Sequence, residues 1–191
     1  MTLDDFFCLE WPDDSDGDVV WFEDKEPLSV SRDLELVRGS LLPDKPPVFQ
    51  AVSGHIVLSV IRNNRVLPIV SKDIIDLMRS YNLTGWHTWP VRLFDIAGKP
   101  ISDTYFGLGV TGRAGALDVE KSASSWSVRS GKKSPVNYRG LHFDLRSWDG
   151  SDVFLLQDRN HVLVSRRFVE CMKPHPVVSW DFMPILSFGF Y

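Results

Sequence analysis

Cysteine is nearly absent from this sequence of 191 residues, which contains only Cys8 and Cys171. Two cysteines so far apart provide neither the Cys-x-x-Cys pair of a zinc site nor the framework of a disulfide-rich secreted domain. A chain of this length buries roughly 70% of the surface that it exposes when unfolded, so it needs no cross-link of either kind. We therefore expect an ordinary globular protein without a metal or a cofactor.

The sequence also lacks long apolar runs, and none approaches the roughly 18 residues that a membrane-spanning helix needs. The first residues, Met1 to Asp5, contain no basic stretch leading into an apolar segment, as a secretory signal would. We therefore expect a cytoplasmic protein with no membrane partner.

Basic residues are scarce at the amino end, where the first 35 residues contain 12 acids and only 2 bases. The rest of the chain contains 19 bases and 13 acids, so the net charge of −4 conceals two regions of opposite sign. Such asymmetry indicates either a charged surface for a partner or an acidic segment that is merely solvated. The densest acidic run supplies the first candidate partner-binding residues, which are Asp13, Asp14, Asp16 and Asp18.

An internal repeat is the most informative feature that the sequence does contain. Residues 66–94 match residues 160–188 without a gap, at a constant offset of 94 positions. Val, Ser, Met, Trp and Pro recur and several other positions exchange conservatively, which indicates a duplicated unit. The matching segments are Leu67–Arg79 with His161–Lys173, and Trp86–Val91 with Trp180–Ile185.

Each copy of the repeat has the pattern of a strand, a helix and a second strand. A short apolar run precedes Ser71 or Ser165, whose hydroxyl can cap the helix that follows. Apolar residues then recur at helical spacing and predict one buried stripe on each helix. The predicted fold class is α+β, with two strand–helix–strand lobes related by an internal duplication, mixed or antiparallel sheets and few short helices. The two stripes are Ile74, Ile75, Leu77 and Met78, and Phe168, Val169, Cys171 and Met172.

The remaining segments complete one globular unit. Residues 1–64 are interpreted as an irregular acidic amino-terminal cover with strands, packed on an α+β domain formed by residues 65–191. The stretch Lys121–Asn137 is rich in Ser, Gly and Lys and is predicted to be a mobile loop. Further strands are predicted in Ala51–Ile61, Arg92–Ile96, Ile101–Val110, Leu141–Leu145 and Val153–Gln157.

Three stretches resemble a bacterial family of polymorphic-toxin immunity proteins, the immunity-eleven type, formerly described as a domain of unknown function. These stretches are Leu67–Ser71 with its helix, Tyr105–Ser122, and Asp152–Pro184, so the resemblance covers roughly residues 65–188. The family carries two strand–Ser–helix units and a central segment similar to Leu117–Ser122. The resemblance implies a cytoplasmic protein that binds and neutralises a cognate toxin delivered by sibling cells.

Candidate catalytic and metal-binding residues form weak patterns. His142 and Asp144 lie two apart on a predicted strand and could form a His–carboxylate pair for a hydrolase or nuclease. No serine or cysteine stands in a nucleophile-elbow context, and the histidines lack zinc-ligand spacing. The acidic run resembles part of a calcium loop, but Pro12 occupies the position of its first ligand. We expect no enzymatic activity.

Two further pairs are candidate partner-binding residues. Trp126 and Arg129 combine an aromatic ring with positive charge, although the acidic chain gives little reason to expect nucleic acid as the partner. Arg166 and Arg167 occupy the first turn of the second repeated helix, where positive charge opposes the helix dipole. The alternatives to an immunity protein are an interaction module without a toxin partner, and the hydrolase or nuclease. The chain could also form a homo-oligomer.

Overall fold

The computed structural model describes residues 1–11, 17–25, 30–63, 67–101, 104–129 and 132–190 of the chain. In these residues four short α-helices accompany three open β-sheets, which confirms the predicted α+β class. None of the helices in this part is long and apolar enough to span a bilayer. The helices are α1 (Val30–Val37), α2 (Lys72–Ser80), α3 (Val119–Ser122) and α4 (Arg166–Met172).

The strands are short. Single turns of 3-10 helix occur at Leu3–Asp5, before the first strand, and at Leu145–Ser147. In chain order the strands of the described residues are β1 (Phe6–Glu10), β2 (Trp21–Asp24), β3 (Val48–Ser53), β4 (Val60–Asn63), β5 (Ile69–Ser71), β6 (Trp86–Pro90), β7 (Arg92–Phe94), β8 (Tyr105–Val110), β9 (Gly112–Ala114), β10 (Ala123–Arg129), β11 (Lys132–Arg139), β12 (Val153–Leu156), β13 (Leu163–Ser165), β14 (Asp181–Pro184) and β15 (Gly189–Phe190).

The two large sheets are mixed. A seven-stranded sheet has the order β6-β8-β5-β4-β2-β3-β7, and a five-stranded sheet has the order β14-β1-β13-β12-β9. Parallel pairing occurs between β2 and β4, between β3 and β7, and between β9 and β12. A separate three-stranded sheet has the order β10-β11-β15.

Helices α2 and α4 begin directly after a strand, as the repeat predicts. Ser71 and Ser165 both adopt the extended backbone of a helix N-cap residue. The hydroxyl of Ser165 accepts a hydrogen bond of 3.2 Å from the backbone N–H of Phe168. Within the described residues, the buried hydroxyl of Ser71 makes no hydrogen bond.

The repeat has a counterpart in the order of elements. Strands β5 and β13 and the starts of α2 and α4 are each 94 positions apart. Strands β5 and β6 flank β8 in one sheet, and β13 and β14 flank β1 in the other, with antiparallel pairing throughout. Their middle strands differ in chain position, since β8 follows β6 whereas β1 lies at the amino end. Duplication of units 66–94 and 160–188 stays a prediction, which superposition of the two units in an experimental structure tests.

Two hydrophobic cores hold the sheets together. The first buries residues from both large sheets along with Met78 of α2 and Phe168 of α4, so the two sheets share one core. The second lies on the other face of the five-stranded sheet, where the Phe6 ring packs edge-on against the rings of Phe154 and Trp148. Successive residues of β12 point into the two cores in turn, as strand geometry requires.

Three predicted features differ from the structure. The stretch Lys121–Asn137 is predicted to be a loop but contains most of the hairpin β10–β11. Its polar composition is compatible with strands, because backbone hydrogen bonds between strands form without alternating apolar side chains. Residues Leu141–Leu145 do not form a strand, since positions 141–144 lack regular structure and Asp144 caps a 3-10 turn. The amino-terminal segment is not irregular at β1, which lies between β13 and β14 inside a sheet. The division into a cover of residues 1–64 and a domain of residues 65–191 stays a prediction.

Candidate partner-binding site

The acidic run ends on the seven-stranded sheet. Asp13, Asp14 and Asp16 lie outside the described residues, whereas Asp18 is described and is exposed. Its backbone carbonyl accepts hydrogen bonds from the N–H groups of His55, at 2.9 Å, and Ile56, at 3.0 Å. Its carboxylate Oδ1 lies 3.8 Å from Nδ1 of the His55 ring. The carboxyl end of the acidic run is therefore fixed to the connection between β3 and β4.

A shallow groove lies beside this attachment. Val57 of the β3–β4 connection and Ile96 of the turn after β7 line it, together with Ala51 and Ile101. Its volume is ≈ 410 Å³ and its walls are mainly apolar. Val57 is 38% exposed, Ile96 is 58% exposed, and neighbouring Ile56 is 43% exposed. We call this feature the apolar groove.

Close backbone packing gives one wall of the apolar groove its shape. Gly54 has φ +79°, and a Cβ at this position would lie 2.4 Å from the carbonyl oxygen of Val19. Only glycine lets the chain after the acidic run pass this close to the β3–β4 connection. Val19 and Ile56 consequently form a parallel bridge.

A tight turn supports the opposite wall. The Asp95 carboxylate accepts a hydrogen bond of 2.8 Å from the backbone N–H of Lys99, and Gly98 adopts φ +81°. The side-chain amide of Gln50 donates to the carbonyl oxygens of Asp95 and Ile96, at 3.2 Å each. The exposed Ile96 side chain therefore lies on a turn that is held by hydrogen bonds, so ordering this turn adds little entropic cost to the binding of a partner.

Arg166 and Arg167, two of the predicted partner-binding residues, are engaged within the chain. The Arg166 Nε donates to the Asp5 carboxylate at 2.8 Å. The hydrogen bond from the Thr2 backbone and then this bond from Arg166 hold the pKa of Asp5 below its usual value. The Arg167 guanidinium donates to the buried carboxylate of Asp152 at 2.6 Å. Both arginines thus join α4 to other parts of the chain.

Trp126 and Arg129 lie on the hairpin β10–β11, far along the chain from the acidic run. Trp126 is half-buried in β10, opposite Pro135 of β11. Arg129 is the last residue of β10, and its side chain lies outside the described part. Val128 between them is 70% exposed, so the hairpin is a second candidate surface.

His142 and Asp144 are engaged by other groups. The Asp144 carboxylate accepts hydrogen bonds from the Arg146 guanidinium at 3.0 and 3.2 Å, and these bonds lower the pKa of Asp144. The backbone N–H of His142 donates to the Ser122 hydroxyl at 3.0 Å, and its carbonyl oxygen accepts from the N–H of Asp118 at 2.7 Å. In the described part of the chain, no group of three His, Cys, Asp or Glu residues could hold a metal ion.

Sequence reasoning identified the acidic run but missed the apolar groove. The residues of the apolar groove come from three separated segments, so no local sequence pattern predicts that they lie together. One signal was present, since Ile96 is a large apolar residue directly before the Ala97–Gly98 turn, where polar residues are usual. A single exposed apolar residue is common, and only the contiguous patch that the fold forms from Ile56, Val57 and Ile96 indicates a contact surface.

Comparisons of the chain with models of known protein families and with curated proteins give no match. The resemblance to the immunity proteins therefore rests on the three stretches quoted above. The fold and the geometry of the surfaces carry the functional proposal that follows.

Proposed function

We propose that this chain is an immunity protein that binds and neutralises a cognate bacterial toxin domain in the cytoplasm. The observation that carries the proposal is the apolar groove, which lies where Asp18 fixes the end of the acidic run. An apolar centre beside charge of one sign is typical of a protein-binding surface. The resemblance of residues 65–188 to the immunity family supplies the class of partner.

The apolar part of the surface provides binding energy. Fully burying a wholly exposed isoleucine contributes about 1.5–3 kcal/mol. Ile96 is 58% exposed and can contribute roughly that share of it, and Ile56 and Val57 contribute less because less of each is exposed. Residues fixed by backbone contacts lose little further freedom on binding. Ile96 is therefore the expected anchor of the interface.

The acidic run provides encounter rate and choice of partner. Toxin domains that act on nucleic acid need a basic cleft to hold phosphates. A clustered acidic segment attracts such a cleft and can occupy it in place of the substrate. Asp18, the last residue of the run, is held at the connection that lines the apolar groove, and Asp13, Asp14 and Asp16 precede it in the sequence.

Co-expression with a candidate toxin domain tests the proposal. The wild-type chain should restore growth, and Ile96→Asp should abolish the rescue, because a charge in the groove opposes burial. Val128→Asp, on the exposed hairpin, is the matched control and should still rescue.

Three outcomes separate the alternatives. Loss of rescue only with Val128→Asp would assign the binding site to the hairpin with Trp126 and Arg129. Wild-type chain that neither rescues growth nor co-purifies with the toxin would favour the interaction module without a toxin partner. Rescue that both substitutions leave intact would exclude the groove and the hairpin.

A further inference from the structure

A second cavity, separate from the apolar groove, opens where the two large sheets meet. Its volume is ≈ 180 Å³. The carboxyl end of β1 contributes Glu10 and Trp11, and the segment before β5 contributes Pro68. His161, before β13, and Trp180, before β14, also line it. Nothing in the proposed toxin-binding role uses this cavity.

Glu10 brings a carboxylate to this cavity in surroundings that disfavour its charge. Burial raises the pKa of Glu10, and the carboxylate of Asp181 raises it further. The two residues stand directly opposite each other across β1 and β14, a pairing of like charges that destabilises a sheet. The thiol of Cys8 donates to Glu10 Oε1 at 3.4 Å, but a thiol is a weak donor. Among the described residues, no Lys or Arg forms an ion pair with Glu10.

Two of the other lining residues suit a cation. The faces of tryptophan rings attract positive charge more strongly than those of other aromatic residues, and the cavity has two such residues, Trp11 and Trp180. Trp180 is buried and Trp11 is half-buried, so a cation between them would be partly shielded from water. An anion would be repelled by Glu10, and a neutral group would leave the carboxylate uncompensated.

We propose that this cavity binds the head group of an organic cation, an alkylammonium or a guanidinium, with Glu10 as the counter-charge and Trp11 and Trp180 as the walls. Its volume is below the roughly 300–1,000 Å³ of most small-molecule sites, so it accommodates one head group and not a nucleotide or a large cofactor. The head group belongs either to a free small molecule or to a Lys or Arg side chain of a protein partner.

Head-group probes test this site on the full chain without any partner. Methylguanidinium and butylammonium chloride are titrated at constant ionic strength, with methylurea as the neutral analogue of the first. The indole N–H signals of Trp11 and Trp180 are followed by ¹⁵N NMR, after assignment with Trp11→Phe and Trp180→Phe. Both cations should shift these two signals in a saturable way, and methylurea should not.

Matched variants identify the carboxylate. Glu10→Gln keeps the shape of the side chain and should weaken binding of both cations about tenfold or more, as expected for loss of a charged hydrogen-bond acceptor. Glu120→Gln removes the same charge from an exposed position on α3 and should leave the affinity unchanged. Chemical denaturation confirms that each variant is folded. If Glu10→Gln did not fold, the contrast between methylguanidinium and methylurea on the wild-type chain would decide the proposal.

The proposal is overturned if neither cation shifts the Trp11 and Trp180 signals, if methylurea shifts them equally, or if folded Glu10→Gln binds as well as the wild-type chain. Once binding is found, competition identifies the source of the head group. Displacement of a bound toxin domain by butylammonium would assign the site to a basic side chain of that partner. Toxin binding unaffected by saturating butylammonium would assign it to a free molecule. Because the cation titration needs no toxin, its failure is distinguishable from failure of the proposed function.

Discussion

At the scale of single residues, Asp152 connects parts of the chain that are far apart in sequence. Its carboxylate is almost fully buried and accepts hydrogen bonds from the backbone N–H and hydroxyl of Thr84 at 3.0 and 3.2 Å. It also accepts from the hydroxyl of Ser165 at 3.0 Å. Arg167 reaches the same carboxylate and donates to the carbonyl oxygen of Tyr81, at 2.6 Å each. The start of α4 is thereby joined to the end of α2.

These contacts predict different roles for the two neighbouring arginines. Arg167→Met should lower the free energy of unfolding by about 1.5–3 kcal/mol, because it removes a charged donor from a buried carboxylate. Arg166→Met should cost no more than about 1 kcal/mol, since about half of the Arg166 side chain, 49%, is exposed to solvent. Urea denaturation of both variants measures the difference. If both variants lost equally little free energy of unfolding, the contacts of Arg167 with Asp152 and Tyr81 would not stabilise the fold.

Glu10 predicts a specific dependence of stability on pH. Its pKa in the folded chain is raised above the ordinary value of 4.5, first by burial, so the folded state binds this proton more tightly than the unfolded state does. The contribution of Glu10 to stability is therefore complete below pH 4.5 and is lost as pH rises through the folded pKa.

Glu10→Gln should consequently be more stable than the wild-type chain at pH 7 by about 0.2–1 kcal/mol, the usual effect of removing a like-charge pair across two strands. The difference should disappear by pH 4, where Glu10 is protonated. Urea denaturation at a series of pH values gives the comparison, with Glu120→Gln as the control. If Glu10→Gln were less stable than the wild-type chain at pH 7 and equal to it at pH 4, the predicted direction of the effect would be wrong.

At the scale of elements, the apolar stripes of α2 and α4 pack these helices against the first hydrophobic core. Ile74, Phe168 and Met172 are completely buried, so truncation of each to Ala should cost about 2–5 kcal/mol. Leu77 lies on the same predicted stripe but is only partly buried at the edge of α2, and its truncation should cost about 1 kcal/mol. Chemical denaturation of the four variants tests the order. Losses below about 0.5 kcal/mol throughout would show that the stripes do not face a core.

The sequence predicted the elements whose patterns are local. Ser71 and Ser165, followed by apolar residues at helical spacing, locate α2 and α4 to the residue at which each begins. The turn at Gly98 between β7 and β8 also follows from local chemistry. Such features need no information from the rest of the chain.

Elements whose partners are remote were not predicted. Phe6–Glu10 pairs with strands more than 150 positions away, so its place inside a sheet leaves no local trace. The hairpin β10–β11 is held by backbone pairing between strands rich in polar residues, and composition alone resembles that of a loop. The apolar groove could not be predicted from the sequence for the same reason, since Val57 and Ile96 are brought together by the pairing of β3 with β7.

At the scale of the whole molecule, Asp18 and the apolar groove lie beside each other at the connection between β3 and β4. The acidic amino-terminal run ends at Asp18, next to the apolar groove, whereas the hairpin with Trp126 belongs to a different sheet. A partner with a basic cleft would be attracted by the run and held by Ile96. Association rate and dissociation rate therefore report on different parts of the same surface.

Stopped-flow association with the toxin domain at two salt concentrations tests this most directly. Changing Asp13, Asp14, Asp16 and Asp18 together to Asn should slow association about tenfold at low salt and flatten its salt dependence. Ile96→Asp should mainly accelerate dissociation, and Val128→Asp should change neither rate. Association and its salt dependence unaltered by the four substitutions, together with dissociation unaltered by Ile96→Asp, would contradict the assignment of this surface to toxin binding.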